Sequence, residues 1–319
     1  MPAFLADHLI DHRNGIFTLD AGYLRPHFAA IHLLQSEGRI AIVDTATYHA
    51  LPRVLAALAA LGLSAEAVDY VILTHIHLDH AGGAGAMMQS FPQAKLVVHP
   101  RGSRHMCDPS RLMAGTRAVY GRERADAMYG ELLPIAAERI IEARDNSRLM
   151  LGARELLFVD APGHAFHHMA IIDIQTNSIF SGDALGIAFP PSEAVDMRLL
   201  MPSSTPVQFD PHATQQTISR LLAFDPAALY LTHFGRLTPP PGLLQQLHGH
   251  VDRYVAIAHA AADAPEPAHA IRADLADYLL ATARAYGYRQ SDAELLDDWR
   301  HDLDLNAQGL AVWLKSNEK

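Results

Sequence analysis

The sequence predicts an α/β (α+β) fold with a C-terminal helical extension, and three observations support this prediction. Short apolar runs alternate with Ala/Leu-rich runs at helical spacing, a pattern typical of layered strands and helices. The triplet Pro239-Pro240-Pro241 is the clearest break in the chain, and only helical patterns follow it. We therefore divide the chain into a domain over residues 1–238 and a helical extension over residues 239–319.

The first half of the domain begins with strands and continues as alternating helices and strands. Its predicted strands are short apolar runs bounded by turn residues: Ile16–Leu19, Phe28–Leu34, Arg39–Val43, Tyr70–Leu73 and Lys95–His99. Its predicted helices have apolar residues at helical spacing or are rich in Ala, Met, Arg and Glu: Leu51–Leu63, Ala81–Gln89 and most of residues 101–139.

The second half of the domain returns to strands and ends before the helical extension. Its predicted strands are again short and apolar: Arg148–Leu151, Glu155–Val159, Met169–Asp173, Ser178–Phe180 and Leu229–Thr232. A helix is predicted over Thr214–Ala223, and residues 186–209, rich in proline, read as a long irregular segment. Three helices are predicted in the extension: Leu243–Ala262, Ala268–Tyr286 and Asp292–Lys315. We expect them to pack on the domain and to cover its site or form a homodimer contact.

Charge and cysteine content narrow the class of protein. There are 25 Lys and Arg against 35 Asp and Glu, a formal net charge of −10, and no basic block, so no nucleic-acid partner is expected. Cys107 is the single cysteine, which excludes a disulfide within the chain and favours a reducing compartment. The N-terminus lacks the pattern of a signal peptide, and no apolar stretch reaches membrane-spanning length. We expect a cytoplasmic protein with no membrane partner.

One short segment concentrates the residue types that bind metals. Thr74–Gly83 reads Thr-His-Ile-His-Leu-Asp-His-Ala-Gly-Gly and directly follows an apolar strand. His75 and His77 are two residues apart, which places both imidazoles on one face of an extended backbone. If the chain turns near Leu78, Asp79 and His80 reach the same region. Three imidazoles and a carboxylate suit zinc, iron or manganese.

Three more candidate ligands follow predicted strands further along the chain. They are His164 after Pro162-Gly163, Asp183 after Ser181-Gly182, and His233 after Thr232. Each of them alone is more often a turn residue than a ligand. A rigid sheet holds ligands at strand ends more accurately than a free loop does, so together with the first segment they predict one metal site.

These residues together resemble the metallo-β-lactamase superfamily, and within it the glyoxalase II-like branch. The resemblance covers about residues 14–235. Its carriers are Ile42-Val43-Asp44-Thr45, Thr74–Gly83, Pro162-Gly163-His164, Ser181–Leu185 and Thr232-His233. It implies an αββα metallo-β-lactamase sandwich with the metals at one edge, between the sheets.

The resemblance also implies a ligand set and a chemistry. One metal would be held by His75, His77 and His164, a second by Asp79, His80 and His233, and Asp183 would bridge the two. Two divalent ions, zinc before iron or manganese, would hold a bridging hydroxide that cleaves an ester, thioester or lactone of a small-molecule substrate. Asp79 would be the catalytic residue, orienting this nucleophile or passing a proton to the leaving group. Asp44 would be a partner of the ligands rather than a ligand.

The chain departs from the branch pattern after His164. Ala165-Phe166-His167-His168 stands where glyoxalase II-like chains usually have Thr, any residue, then Gly-His. His168 fits the usual histidine, while His167 replaces the small residue and is interpreted as a non-ligand. The glutathione-binding residues of glyoxalase II have no clear counterpart here, which leaves the substrate open.

Two other functions stay open alongside the hydrolase. One is a mononuclear iron persulfide dioxygenase, whose iron would lie on His75, His164 and Asp183 by resemblance; the complete second ligand set disfavours it. The other is a non-catalytic metal-binding protein, which full retention of the nucleophile-generating residues disfavours.

Overall fold

A computed structural model describes residues 8–188, 199–205 and 207–317. The chain forms two compact units. The first consists of Met1–Asp160, His167–Gly182 and Pro226–Arg236; the second consists of Ala161–Phe166, Asp183–Asp225 and Leu237–Lys319. The division of the chain at residues 238 and 239 stays a prediction.

The first unit contains a seven-stranded sheet in sequential strand order. Its strands are β1 Leu9–Asp11, β2 Ile16–Asp20, β3 Ala30–Ser36, β4 Arg39–Val43, β5 Val68–Ile72, β6 Lys95–Val98 and β7 Ile140–Glu142. Strands β1 to β4 are antiparallel, and β4 to β7 are parallel to one another. The parallel pairs are joined by helical crossovers, which place the ends of β4, β5 and β6 at one edge.

The second sheet has six strands in the order β15-β14-β11-β10-β9-β8. They are β8 Arg148–Leu151, β9 Arg154–Asp160, β10 Met169–Asp173, β11 Ser178–Gly182, β14 Ala228–Leu231 and β15 Gly235–Leu237. Pairing is antiparallel from β8 to β11, and β14 joins β11 in parallel.

One apolar cluster joins the inner faces of the two sheets. Leu34, Val43 and Ile72 come from the first sheet, and Phe158 and Phe180 from the second; each is at most 1% exposed. Burial of these side chains on both sheets makes a sandwich, because each sheet removes the other's apolar face from water.

The outer face of the first sheet packs against helices of the same unit. These are α1 Leu51–Ala60, α2 Leu78–Ala81, α3 Ala84–Ser90, α4 Pro100–Cys107, α5 Ser110–Tyr120 and α6 Arg122–Tyr129. The shared cluster includes Leu33 and Val71 from the sheet with Val54, Met87 and Met106 from the helices. An apolar stripe on each helix therefore covers the sheet residues that point away from the sandwich core.

The second unit is mainly helical. It contains the short paired strands β12 Ile187–Ala188 and β13 Leu200–Met201 and the helices α7 Pro211–Leu222, α8 Leu243–Ala260, α9 Pro267–Ala285, α10 Asp292–Asp298 and α11 Arg300–Asn317. Its core includes Tyr254, Leu275 and Trp299, each at most 1% exposed. No helix among residues 8–188, 199–205 and 207–317 is long and apolar enough to cross a bilayer.

The predicted α/β elements are present, with a few differences. The structure adds β1, β7, β12, β13 and β15, all of two or three residues and too short to show a period. The predicted helix Asp292–Lys315 is two helices that meet at Trp299, the first of which starts with a capping box at Ser291. Part of the predicted irregular segment, residues 189–198 and 206, lies outside the described residues.

Candidate metal centre

The candidate ligands His75, His77, Asp79 and His80 lie just past the end of β5. The backbone of His77 is extended, and this residue is the N-cap of the four-residue helix α2. This change from extended backbone to a helical turn lets side chains from consecutive positions converge. The amide N–H of Thr45, after β4, donates to the His80 carbonyl at 2.7 Å and so ties the turn to the neighbouring strand end.

His75 and His77 form the first close pair in this unit. Nε2 of His75 lies 3.0 Å from Nδ1 of His77, and the ring centroids are 4.5 Å apart. Two nitrogens bound to one tetrahedral zinc at 2.0–2.1 Å are about 3.3 Å from each other. The pair is therefore close to the separation that one coordination sphere requires.

Asp79, His80 and His233 form a compact group of three ligand atoms. All of these atoms lie within 4.8 Å of one another. A carboxylate oxygen of Asp79 is 3.4 Å from Nε2 of His233 and 3.8 Å from Nε2 of His80. His233 follows β14 in the second sheet. The tertiary fold brings it close to His80 although the two residues are 153 positions apart in the sequence.

The imidazoles of this group are oriented by oxygen acceptors behind them. Nδ1 of His80 donates to Asp44 at 2.8 Å, and Nδ1 of His233 donates to the Phe28 carbonyl at 2.8 Å. Because carboxylate and carbonyl oxygens only accept, each Nδ1 carries a ring proton, and Nε2 is the atom that offers a lone pair when the ring is neutral. A hydrogen bond of this kind on the far nitrogen is the usual arrangement for a metal-binding histidine.

Asp44 is the centre of this orienting network. Besides His80, its carboxylate accepts from the amide and hydroxyl of Thr74 at 2.8–3.0 Å and from the hydroxyl of Thr232 at 2.7 Å. Because the Thr74 hydroxyl donates to Asp44, its oxygen accepts from Nδ1 of His75 at 3.1 Å. The buried carboxylate thus orients His80 directly and His75 through Thr74, as a partner of candidate ligands.

Asp79 is held in its charged form. Burial alone would raise the pKa of this carboxyl. The positive charge of protonated His80, with the hydrogen bond from His233 and its charge, outweighs that effect and lowers the pKa of Asp79 well below its usual range. An ionised Asp79 accepts hydrogen bonds or a proton, and it offers a hard oxygen ligand to a cation.

Two buried tyrosines, Tyr23 and Tyr129, have pKa values that the charge of Asp79 affects. The hydroxyl of Tyr23 donates to that of Tyr129 at 3.1 Å, and both side chains are 5% exposed. Burial, followed by the negative charge of Asp79, raises the pKa of both phenols far above the usual value. Both therefore stay protonated and act as hydrogen-bond donors at neutral pH.

The two remaining predicted ligands lie together in the second unit. Nε2 of His164 is 3.6 Å from a carboxylate oxygen of Asp183, which directly follows β11. Nδ1 of His164 donates to the Ser203 carbonyl at 3.0 Å, which leaves Nε2 as the ring nitrogen on the side of Asp183. The hydroxyl of Ser203 donates to the same Asp183 carboxylate at 3.3 Å.

His167 and His168 occupy the positions where the chain departs from the branch pattern. The buried His168 ring stacks on His75 with centroids 4.8 Å apart. Nδ1 of His167 accepts from the amide of Ile76 at 3.4 Å, which leaves the ring proton of a neutral His167 on Nε2. These contacts make both residues neighbours of the candidate ligands.

The side chains present suit a metal ion. Each unit supplies imidazole nitrogens and a carboxylate, the donor set that zinc, iron and manganese accept. Nδ1 donates a hydrogen bond to an oxygen in His80, His233 and His164. Nε2 is therefore the nitrogen of each ring that could bind a metal.

Sequence reasoning named the candidate ligands and Asp44 but missed other residues of the network. Ser203 and Tyr129 lie in segments without strand or motif signals, so neither could be connected with the ligands from spacing. The Tyr23 side chain, which has no motif around it, is also buried. Thr74 and Thr232 belong to the motifs that the sequence shows, because each directly precedes a candidate histidine.

Comparisons with known proteins agree with this architecture. A family model for the metallo-beta-lactamase superfamily matches residues 24–233. The metallo-beta-lactamase fold-containing protein ST1585 of Sulfurisphaera tokodaii is 23% identical over 235 residues, 71% of this chain and 80% of the relative.

Solved structures share the fold over most of the chain. The crystal structure of ST1585 aligns with a TM-score of 0.65 and 20% identity over 93% of this chain and 98% of that one. The metallo-beta-lactamase family protein TTHA1429 from Thermus thermophilus aligns with a TM-score of 0.67 and 21% identity over 95% and 94%. A B3 metallo-beta-lactamase with an active-site glutamic acid aligns with a TM-score of 0.51 and 17% identity over 76% and 86%. The predicted sandwich is thereby confirmed.

Proposed function

Because this chain belongs to the metallo-β-lactamase superfamily, we propose that it is a metal-dependent hydrolase with a dinuclear centre. Its substrate is a small molecule with an ester, thioester or lactone bond, as in the glyoxalase II-like branch. The superfamily consists mostly of hydrolases that use divalent metals, which supports the reaction type, and the donor set supports the metal.

The proposed ligand set is the one that the family resemblance implies. One metal would be held by His75, His77 and His164 and a second by Asp79, His80 and His233, with Asp183 as a ligand shared by both. The order of the ligands along the chain, each at or near the end of a strand, supports this assignment. The hydrogen bonds that Nδ1 of His80 and Nδ1 of His233 donate also support it.

The group of Asp79, His80 and His233 is the observation that carries the proposal. Its ligand atoms lie within 4.8 Å of one another although His233 is distant in sequence. Both histidines present Nε2 because Nδ1 donates to a buried oxygen. A chance cluster of exposed histidines would have neither feature.

The metal ions, Asp79 and the two tyrosines would have separate roles in hydrolysis. When bound, divalent ions supply an acidified water as nucleophile and polarise the scissile carbonyl, so no Ser or Cys nucleophile is required. The ionised Asp79 carboxylate would orient that nucleophile by accepting a hydrogen bond from it, or would take up the proton that the nucleophile loses and pass the same proton to the leaving group. The protonated phenols of Tyr23 and Tyr129 supply hydrogen-bond donors in the environment of Asp79.

Metal analysis combined with a hydrolysis panel tests the proposal. Elemental analysis of the purified protein is expected to give two metal equivalents per chain. A panel of esters, thioesters and lactones is expected to contain a substrate whose hydrolysis stops after chelation and returns with zinc.

Two outcomes would replace the hydrolase. One iron per chain, with oxygen uptake on glutathione persulfide, would establish the mononuclear dioxygenase. A fully metal-loaded protein that is inert on the panel and on the persulfide would establish the non-catalytic metal-binding protein.

A further inference from the structure

The segment Ser203–Ser204 joins two parts of the second unit that are far apart in sequence. On one side, Ser203 contacts both candidate ligands of this unit: its carbonyl accepts from Nδ1 of His164 at 3.0 Å, and its hydroxyl donates to Asp183 at 3.3 Å. Ser203 is 6% exposed. Any movement of its backbone would therefore change the direction of the His164 ring and the position of the Asp183 carboxylate.

Ser204 is held on the other side by helix α11. The side-chain oxygen of Asn306 accepts from the Ser204 amide at 2.6 Å and lies 3.0 Å from the Ser204 hydroxyl. The same hydroxyl is 3.1 Å from the Asn306 carbonyl, a second acceptor. Asn306 is 2% exposed and Ser204 is fully buried, so water does not replace these bonds when they are lost.

Gly309 brings the helix backbone directly against Ser204. A Cβ atom at Gly309 would lie 1.5 Å from the Ser204 carbonyl oxygen, a separation that no packing change of a side chain could relieve. Asn306 and Gly309 are three residues apart and therefore share one helix face. That face holds Ser204 by hydrogen bonds at one position and by close contact at the next.

We propose that Asn306 and Gly309 are positioning residues for the metal centre, acting on His164 and Asp183 through Ser203–Ser204. This inference rests on the proposed function, which makes His164 and Asp183 metal ligands. It assigns to the C-terminal extension a part in ligand geometry, in addition to the packing of Leu303 and Leu310 in the apolar core of this unit.

Cobalt(II) binding to the full-length protein tests the proposal without depending on a substrate. Asn306→Leu keeps the approximate shape but removes the acceptor, and we expect Co(II) affinity, measured by chelator competition, to fall roughly 10-fold or more. The visible spectrum of bound Co(II) is expected to change as well, because it reports ligand geometry. Asn306→Asp keeps an acceptor oxygen and is expected to restore most of the affinity.

Two controls separate positioning from loss of stability. Leu310→Ala removes a fully buried apolar side chain from the same helix without touching Ser204, so it should lower the unfolding temperature and leave Co(II) affinity unchanged. Gly309→Ala should weaken Co(II) binding, whereas Gly249→Ala, in open space on α8, should not. The glycine pair decides the question if Asn306→Leu does not fold.

The outcomes are distinguishable from failure of the proposed function. If the wild-type protein binds no metal, the proposed function fails and takes this inference with it. If the wild type binds Co(II) and folded Asn306→Leu and Gly309→Ala bind it equally well, only the positioning role is overturned. Equal losses of affinity in Leu310→Ala and Asn306→Leu would also overturn it, because general stability would then explain both.

Discussion

Nδ1 of His80 donates a hydrogen bond to the carboxylate of Asp44 at 2.8 Å, and neither side chain is exposed. Asp44 adopts a left-handed backbone conformation (φ 59°) directly after β4, which aspartate tolerates better than most residues. The same carboxylate accepts from Thr74 and Thr232. One buried anion therefore connects the ends of β4, β5 and β14 and sets the direction of a candidate ligand.

Replacing this anion should weaken metal binding. Asp44→Asn introduces two N–H donors into a site where the surrounding groups also donate, so part of the network is lost. We expect metal affinity to fall about 10- to 100-fold, as for other partners of metal-binding histidines. We also expect stability to fall by about 1.5–3 kcal/mol for each charge-assisted bond lost. Chelator competition and urea unfolding measure the two effects.

Asp69→Asn is the matched control for Asp44→Asn. Asp69 pairs with Arg39 at a partly exposed position, where such pairs contribute about 0–1 kcal/mol. The metal affinity of the Asp69→Asn variant should equal that of the wild type. Wild-type metal affinity in Asp44→Asn would contradict the orienting role of Asp44.

His75→Ala should remove activity and at least one metal while the protein stays folded. The side chain is buried beside His77 and His80, and its loss deletes one donor from the candidate coordination spheres. Elemental analysis gives the metal count, and circular dichroism checks the fold. His105→Ala, at a histidine that is not a predicted ligand, serves as the control. An unchanged metal count in His75→Ala would remove His75 from the ligand set.

Gly182→Ala should destabilise the protein more than Gly38→Ala. Both glycines have positive φ, 49° and 76°, so alanine costs about 1–2 kcal/mol at either position. A Cβ at Gly182 would also lie 2.6 Å from the Thr74 hydroxyl and 2.7 Å from Nε2 of His168, whereas Gly38 has open space. We expect an additional loss of about 1–3 kcal/mol at Gly182, measured by urea unfolding. Equal losses in the two variants would show that the crowding is relieved without cost.

His32 should make stability depend on pH. Burial lowers the pKa of this imidazole from 6.5 to about 4. Between these pH values the unfolded chain binds a proton that the folded chain does not. The contribution of neutral His32 to the free energy of unfolding is therefore complete above pH 6.5 and is lost as the pH falls toward 4. The loss amounts to about 3 kcal/mol at 1.36 kcal/mol for each pKa unit.

A His32→Gln variant isolates this contribution. Urea unfolding of metal-free wild type and variant at pH 7.5 and 4.5 removes effects common to both proteins. The stability difference between them should shift by about 2–3 kcal/mol in favour of the variant at the lower pH. Parallel pH dependences would contradict a neutral, buried His32.

Most of the α/β pattern was predictable because apolar period and turn residues act locally. The strands Arg39–Val43, Arg148–Leu151 and Met169–Asp173 have the predicted ends. The short strands β7 and β12 escaped prediction because two or three residues carry no period, and pairing with a neighbour rather than propensity makes them strands.

The sequence by itself determined the family, the alternation of helices and strands, and the positions that offer imidazoles and carboxylates. Those features depend on residue type and on spacing over a few positions. Only the tertiary structure brought His233 beside Asp79, placed Asp44 behind His80, and joined Asn306 to Ser204. These relationships link distant segments through buried hydrogen bonds, and no local pattern records them, because strand order and packing decide which chain ends meet.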